Sequence, residues 1–263
     1  MKIVFVIIVV GGFVYLLIPR KNSVRLYSKA LDEARTFLVH LPEGYDKSQE
    51  KYPVLYLLDG GDTPLSSQYV TPYSHAVTTL KRLESSIPQM IMIGIANKDR
   101  CRDMLPVKIE EYPTSGGADK FLTFMVEELI PFVDRNFRTS DFRILYGESD
   151  AGLFTVYALL THPGTFSAYI ASSPTLGWCP GVITDKAKAL LAKKKQLKKF
   201  FYIIYGENDP PFITTTVPSF ADQIKAAEPK EFQWVVKIIK NQGHVPPRSL
   251  YDGLKFIFSF HKE

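Results

Sequence analysis

The sequence predicts a three-layer α/β sandwich with a mostly parallel central sheet, an antiparallel hairpin on its N-terminal edge, and helices on both faces. Three observations predict it. From Ser23 onward, short β-rich apolar runs alternate with longer helical patterns, and no linker or repeat divides them. Several runs are apolar at consecutive positions, as strands buried on both faces must be. With 263 residues, 46% of them apolar and 22% charged, the chain is large enough for one substantial core.

Along the chain, Lys2 precedes an apolar stretch from Ile3 to Ile18 broken only by Gly11-Gly12 and Tyr15. Residues 1–22 therefore read as an export signal or a membrane anchor. The stretch falls short of the roughly 20 residues that cross a bilayer, which favours a signal. No Ala-x-Ala-like cleavage site follows, which favours an anchor. Either reading expects an exported or membrane-anchored protein, periplasmic, secreted or luminal, attached if at all through residues 3–18. A buried N-terminal strand or helix is the third reading. Arg20, Lys21, Arg25 and Lys29 on the far side carry at least as much charge as Lys2, so orientation is not assigned. Residues 23–263 form the expected catalytic domain.

In that domain the strands expected are Val24 to Ala30, Thr36 to Leu41, Val54 to Leu58, Met90 to Ala96, Arg143 to Tyr146, Ala168 to Ala171, Phe200 to Tyr205 and Phe232 to Ile239. The first two, joined around Asp32 and Glu33, make the edge hairpin. Helical patterns cover Ala118 to Asn136, Asp150 to Thr161, Asp185 to Lys198, Pro218 to Ala227 and Ser249 to His261. Right-handed crossovers between such strands put reactive groups in loops at the strands' carboxyl ends.

That rule makes each candidate residue testable by position. After Arg143-Ile-Leu-Tyr146 come Gly147-Glu148-Ser149-Asp150-Ala151-Gly152 and a helical run. A serine at the apex of a tight strand-to-helix turn needs small residues two before and two after it, and Gly147 and Ala151 comply. Ser149 is the candidate nucleophile; the plainer alternative is that it only caps the helix. Of His40, His75, His162, His244 and His261, only His244 lies in a turn after the last strand, where a base that follows the nucleophile and acid in chain order belongs. The acid should follow Phe200 to Tyr205, where Gly206-Glu207-Asn208-Asp209 offers two carboxylates. Asp209 fits the usual spacing from the glycine, and Glu207 stays as the alternative. Asp59-Gly60-Gly61, ending another strand, would supply an oxyanion N–H from Gly61 or Gly60, with the second from Asp150.

A set of ordered motifs carries a family resemblance: Leu41-Pro-Glu-Gly-Tyr45, Tyr52-Pro-Val-Leu-Tyr-Leu-Leu-Asp-Gly60, Asn97-Lys-Asp-Arg-Cys-Arg-Asp103 with Pro106, Gly116-Gly-Ala-Asp-Lys-Phe121, Glu128-Leu-Ile-Pro131, the Ser149 turn, Ser172-Ser-Pro174 with Trp178, and Gly243-His244. From about residue 25 to the C-terminus the chain resembles the esterase D-like branch of the α/β-hydrolase superfamily, which includes the enterobactin (siderophore) esterases. The resemblance implies the α/β-hydrolase sandwich, a small-molecule ester or thioester as substrate, an acyl-enzyme, and neither cofactor nor metal. It also puts Arg100, Arg102 and Asp103 in a loop near the site, where the arginines either grip an acidic group of the substrate or tie the loop down. Glu148 and Ala151-Gly152 depart from the histidine and Gly-Gly common in the family, which leaves the local electrostatics open.

Other features set bounds. The net charge of +5 owes much to Lys186, Lys188, Lys193, Lys194, Lys195, Lys198 and Lys199, read as the solvated face of one helix. Without aromatic interleaving or a basic motif they do not point to nucleic acid. Cys101 and Cys179 match neither a zinc spacing nor a disulfide framework, though the two could be bridged. Loops after Gly61 and Asp209, with Tyr69, Tyr73, Phe212 and Ile213, are the expected pocket walls. The reaction expected is ester hydrolysis; acyl transfer by the same residues, or a non-catalytic hydrolase-like binding protein, are the alternatives.

Overall fold

The computed structural model describes residues 7–10, 13–16, 23–61, 73–193 and 196–260. Strands β1 (Ile7–Val10) and β2 (Phe13–Leu16) pair antiparallel. The rest of the expected signal or anchor, residues 1–6, 11–12 and 17–22, lies outside the described residues. The described part is paired strand, and among the described residues no helix is long and apolar enough to cross a membrane.

One eight-stranded sheet holds the domain together. Its strands are β3 (Ser23–Ser28), β4 (Glu33–His40), β5 (Tyr52–Leu57), β6 (Ile91–Ile95), β7 (Thr139–Glu148), β8 (Ala168–Ser172), β9 (Gln196–Gly206) and β10 (Lys230–Ile239). Across the sheet they run β10-β9-β8-β7-β5-β6-β4-β3; β4 is antiparallel to both its neighbours, and every other pairing is parallel. Each expected strand is present, and the edge hairpin is β3 with β4. The chain leaves β5 towards β6 on one side and returns to β7 on the other. That reversal opens a crevice beyond the carboxyl ends of β5 and β7.

The helices are α1 (Tyr73–Leu83), α2 (Arg100–Met104), α3 (Ala118–Thr123), α4 (Ile130–Asn136), α5 (Asp150–Thr161), α6 (Pro180–Lys193), α7 (Pro211–Thr214), α8 (Thr216–Ala227) and α9 (Ser249–Phe260). Alternate residues of β5 divide the core. Leu55 and Leu57 pack with Ala76, Leu80, Leu254 and Ile257 of α1 and α9. Val54 and Tyr56 pack on the other face with Phe121, Phe154, Ile183 and Phe220. Residues Ala151 to Leu160 of α5 are buried without a break. A helix apolar on all sides must be wrapped by others, and α5 lies between β7, β8 and α6.

Two helices differ from expectation. A π-helical turn, Phe124–Leu129, joins α3 to α4 just before Pro131. Proline has no N–H for the carbonyl four residues back and its ring presses on it, and a wider turn accommodates both. Glu128 on this turn accepts the N–H groups of Lys29 and Ala30 at 3.0 Å, fastening the edge hairpin. Helix α6 ends at Lys193 rather than Lys198, because Ile183, Ala187 and Leu190 set its inner face and Leu197 is already buried in β9. The lysine run is therefore not one helical face. Lys186, Lys188 and Lys193 lie on α6, Lys198 and Lys199 on β9, and Lys194 and Lys195 lie outside the described residues. Lys199 donates to the Phe166 carbonyl at 2.7 Å.

Candidate active site

Between the last residue of β7 and the first of α5, Ser149 sits at φ 57°, ψ −119°. A non-glycine residue there carries about 1–3 kcal/mol of strain, so its surroundings must hold it. The Ser149 N–H donates to the Ser172 carbonyl at 2.9 Å; its own carbonyl accepts Leu153 N–H at 2.9 Å and Thr175 N–H at 3.3 Å. At Gly147 a methyl group would overlap the Ala151 carbonyl and come within 2.7 Å of Thr155 Oγ1. This is the steric reason for a small residue two before the serine.

Two further loops reach the same point. His244, in the loop after β10, sets Nε2 2.9 Å from Ser149 Oγ and Nδ1 2.6 Å from Asp209 Oδ1. Asp209, after β9, takes three hydrogen bonds. Besides His244, its Oδ2 accepts the Ser173 hydroxyl and the Gly206 N–H, each at 2.7 Å. Burial works against its charge, but these donors outweigh burial and hold its pKa below the usual carboxylate range. Glu207 points elsewhere and caps the next turn, accepting Asn241 N–H at 3.0 Å. Of the other histidines, His40 ends β4, His75 lies in α1, His162 follows α5, and His261 lies outside the described residues.

Ser173 is a residue that the pattern did not single out. At φ 41° it donates to Asp209 and accepts Val245 N–H at 2.9 Å, so one hydroxyl braces both the acid and the histidine loop. Its signal lay in Ser172-Ser-Pro174, noted above only for resemblance. Gly206 meets the same loop: a methyl there would strike the Gly243 and Gln242 carbonyls.

On the other side of the serine, Gly60 donates its N–H to Ile95 at 2.9 Å, and a methyl on it would come within 2.6 Å of Gly94 Cα. The Gly60 N–H is thus committed to closing β5 onto β6. Gly61 follows it, buried. Asp150, first residue of α5, has no acceptor four residues back for its N–H.

Arg100 donates to both oxygens of Asp59 at 3.0–3.2 Å, to Asp150 Oδ2, and to the Glu148 carbonyl at 3.2 Å. Burial works against its charge, and the two carboxylates outweigh burial and raise its pKa. Arg102 turns away from Ser149. It binds Glu33 at 2.5 and 3.3 Å and Asp103 at 2.9 Å, in a cluster around buried Arg35. Glu148 is buried and accepts the Tyr146 hydroxyl.

Next to Asp150 stand three aromatic rings. Tyr112 meets Trp178 edge-on at 5.3 Å between centroids, and Trp178 meets Phe212 at 5.3 Å. Trp178 belongs to the turn whose Thr175 bonds Asp150 Oδ1 at 2.8 Å, and Phe212 follows the Asp209 loop. Gly177 permits this contact, since a methyl there would lie 2.6 Å from the Phe212 carbonyl. Ile213, an expected wall residue, is instead core; Tyr73 packs over Gly94, and Tyr69 lies outside the described residues. Cys101 and Cys179 are free thiols, and burial pushes that of Cys179 up to about 12. Among the described residues no group of three or more His, Cys, Asp or Glu is arranged to hold a metal ion.

The sheet order and the helix-seated serine turn define an α/β-hydrolase fold. The chain belongs to the family described as "Putative esterase", whose model matches residues 28–259. It is 32% identical over 175 residues to a siderophore enterobactin esterase of Emericella nidulans, a match covering 57% of this chain and 55% of that one. It is 30% identical over 169 residues to the ferri-bacillibactin esterase BesA of Bacillus subtilis, covering 55% of each. The chain thus spans about half the length of the curated relatives it matches. An IroE-like serine hydrolase from Shewanella oneidensis superposes with a TM-score of 0.81 at 29% identity, covering 92% of this chain and 81% of that one.

Proposed function

We propose that the protein is a serine esterase that cleaves a small carboxylic ester through an acyl-enzyme. The observation that carries this reading is the line from Asp209 Oδ1 to His244 at 2.6 Å and from His244 to Ser149 Oγ at 2.9 Å. His244 takes the serine proton as Oγ attacks the ester carbonyl, and the carbonyl's electron pair moves to oxygen. The N–H groups of Asp150 and Gly61 receive that oxygen; one such donor is worth about 3 kcal/mol in the transition state. When the intermediate collapses, His244 returns the proton to the departing alcohol. Water, deprotonated by the same imidazole, then releases the acid and restores Ser149. Asp209 keeps the imidazole proton on Nδ1 and stays ionised throughout.

Siderophore esters are the substrates to try first, because two relatives are described as a siderophore enterobactin esterase and a siderophore triacetylfusarinine C esterase. The rings of Tyr112, Trp178 and Phe212 pack together, and the turn that carries Trp178 is tied to Asp150 through Thr175, so they offer a candidate apolar surface for the substrate. Purified protein should be labelled by a fluorophosphonate and should turn over aryl, short-chain and siderophore esters. Ser149→Ala should abolish both. Labelling that survives this substitution would refute the reading.

A further inference from the structure

We propose that Arg100 is a positioning residue for the oxyanion hole: its guanidinium ties the end of β5 to the top of α5 and so holds the two N–H donors at a fixed separation. The inference rests on the esterase reading above. Both donors sit on separate elements. Gly61 follows β5 by way of Asp59, and Asp150 opens α5. The ladder that joins β5 to β7 directly ends at the pair Leu57–Tyr146, short of both donors.

Arg100 spans this gap from a third element, α2. Its Nε and Nη2 hold the Asp59 carboxylate in a fork, its Nη1 holds Asp150 Oδ2, and Nη2 also reaches the carbonyl of Glu148, the residue before the serine. Each carboxylate has a second tether. Asn97 donates to Asp59 Oδ1, and Thr175 donates to Asp150 Oδ1 at 2.8 Å. Asp59 itself is 2% exposed and bent to φ 56°, a conformation that needs such fastening. An ammonium is a compact point charge and cannot reproduce a planar fork that serves two carboxylates and a carbonyl together. Arg100 acts through Asp59 and Asp150, without touching the substrate.

The test compares the parent with Arg100→Lys and Arg100→Ala, on an ester whose hydrolysis by the parent depends on Ser149. The readouts are kcat, KM, and the affinities of an alkyl boronic acid, which forms a tetrahedral adduct on the serine, and of the product acid, which does not. We expect kcat to fall about 100-fold in Arg100→Ala and about 10-fold or more in Arg100→Lys, with KM within about threefold. Boronate affinity should fall in parallel with kcat while product affinity holds. Free guanidinium should restore part of the rate to Arg100→Ala and none to Ser149→Ala. Should Arg100→Ala not fold, the Arg100→Lys comparison carries the test alone. A kcat unchanged within threefold, or a loss confined to KM, overturns the positioning role and leaves the esterase reading standing. A parent without Ser149-dependent turnover overturns both.

Discussion

Replacing Asp209 with asparagine should do more damage than removing one hydrogen bond, for a reason the geometry supplies. Oδ2 of Asp209 accepts two donors, the Ser173 hydroxyl and the Gly206 N–H, while Oδ1 faces His244 Nδ1. Asparagine has one oxygen and one NH2. Two fixed donors claim the oxygen, so the NH2 must face His244. Nδ1 then has to accept, which moves the imidazole proton to Nε2 and aims it at Ser149 Oγ. In that tautomer His244 is no base for the serine. A wrongly held tautomer lowers kcat by about 10⁴, equivalent to about 5.5 kcal/mol of barrier. The fold should persist, because two of the three bonds survive. Glu207→Gln, which disturbs only the bond to Asn241 N–H, should stay within about threefold of the parent. Steady-state hydrolysis of a p-nitrophenyl ester by both variants, with circular dichroism as the folding control, decides the matter. If Asp209→Asn kept more than a tenth of the parent's kcat, or Glu207→Gln fell as far, the tautomer argument would fail.

Other outcomes follow from the same geometry. Gly206→Ala, whose methyl meets the Gly243 and Gln242 carbonyls, should displace the histidine loop and cut kcat at least 100-fold, and a crystal structure of the variant should show His244 moved from Ser149. Ser149→Gly should raise the unfolding free energy by about 1 kcal/mol, since relief of the backbone strain exceeds glycine's entropic cost; denaturant titration would measure it. Burial opposes ionisation of Glu33, yet hydrogen bonds from Arg102, Lys98 and Arg35 prevail and hold its pKa at about 2. Its folded pKa lies below the ordinary value, so its stabilisation is present above about pH 4.5 and is lost as pH falls through about 2. Glu33→Gln should therefore lower stability at pH 7 and do so progressively less in acid, as urea titrations across that range would report. Cys179 should resist iodoacetamide in the native protein, with modification scored by mass spectrometry before and after unfolding.

Much of this arrangement could be read from the chain. Strands such as Ile91–Ile95 are apolar at every position because both faces are covered, and that burial is what a one-dimensional pattern records. Ser149 and His244 were legible as candidates because each must follow its own strand in a known order, whereas Asp209 and Glu207 follow the same strand and only the hydrogen bond to His244 separates them. The boundary of α6 was not, since lysines suit an exposed helix end and an exposed strand edge equally, and only the burial of Leu197 separates the two. The partners of Arg100 and Ser173 were hidden for a different reason, although the family resemblance had already put Arg100 near the site. Those partners lie 36 to 72 residues away, and nothing in the immediate neighbours reveals that distance. The bond from Gly60 N–H to the Ile95 carbonyl was equally out of reach, because it turns on the direction of one N–H.

The long burial of α5 bears on how the protein would fail when heated. Ser149 is anchored at the head of a helix buried from Ala151 to Leu160 and at the end of a central strand, a region expected to open to hydrogen exchange only when the whole domain unfolds. His244 hangs from the loop after β10, at the sheet's edge, where Asn241, Val245 and Arg248 all hold positive φ angles. Local opening there requires little of the core. Amide exchange should therefore be fast across 241–248 and slow across 150–160, and activity should fade with temperature before the global transition begins. The serine would outlast its base.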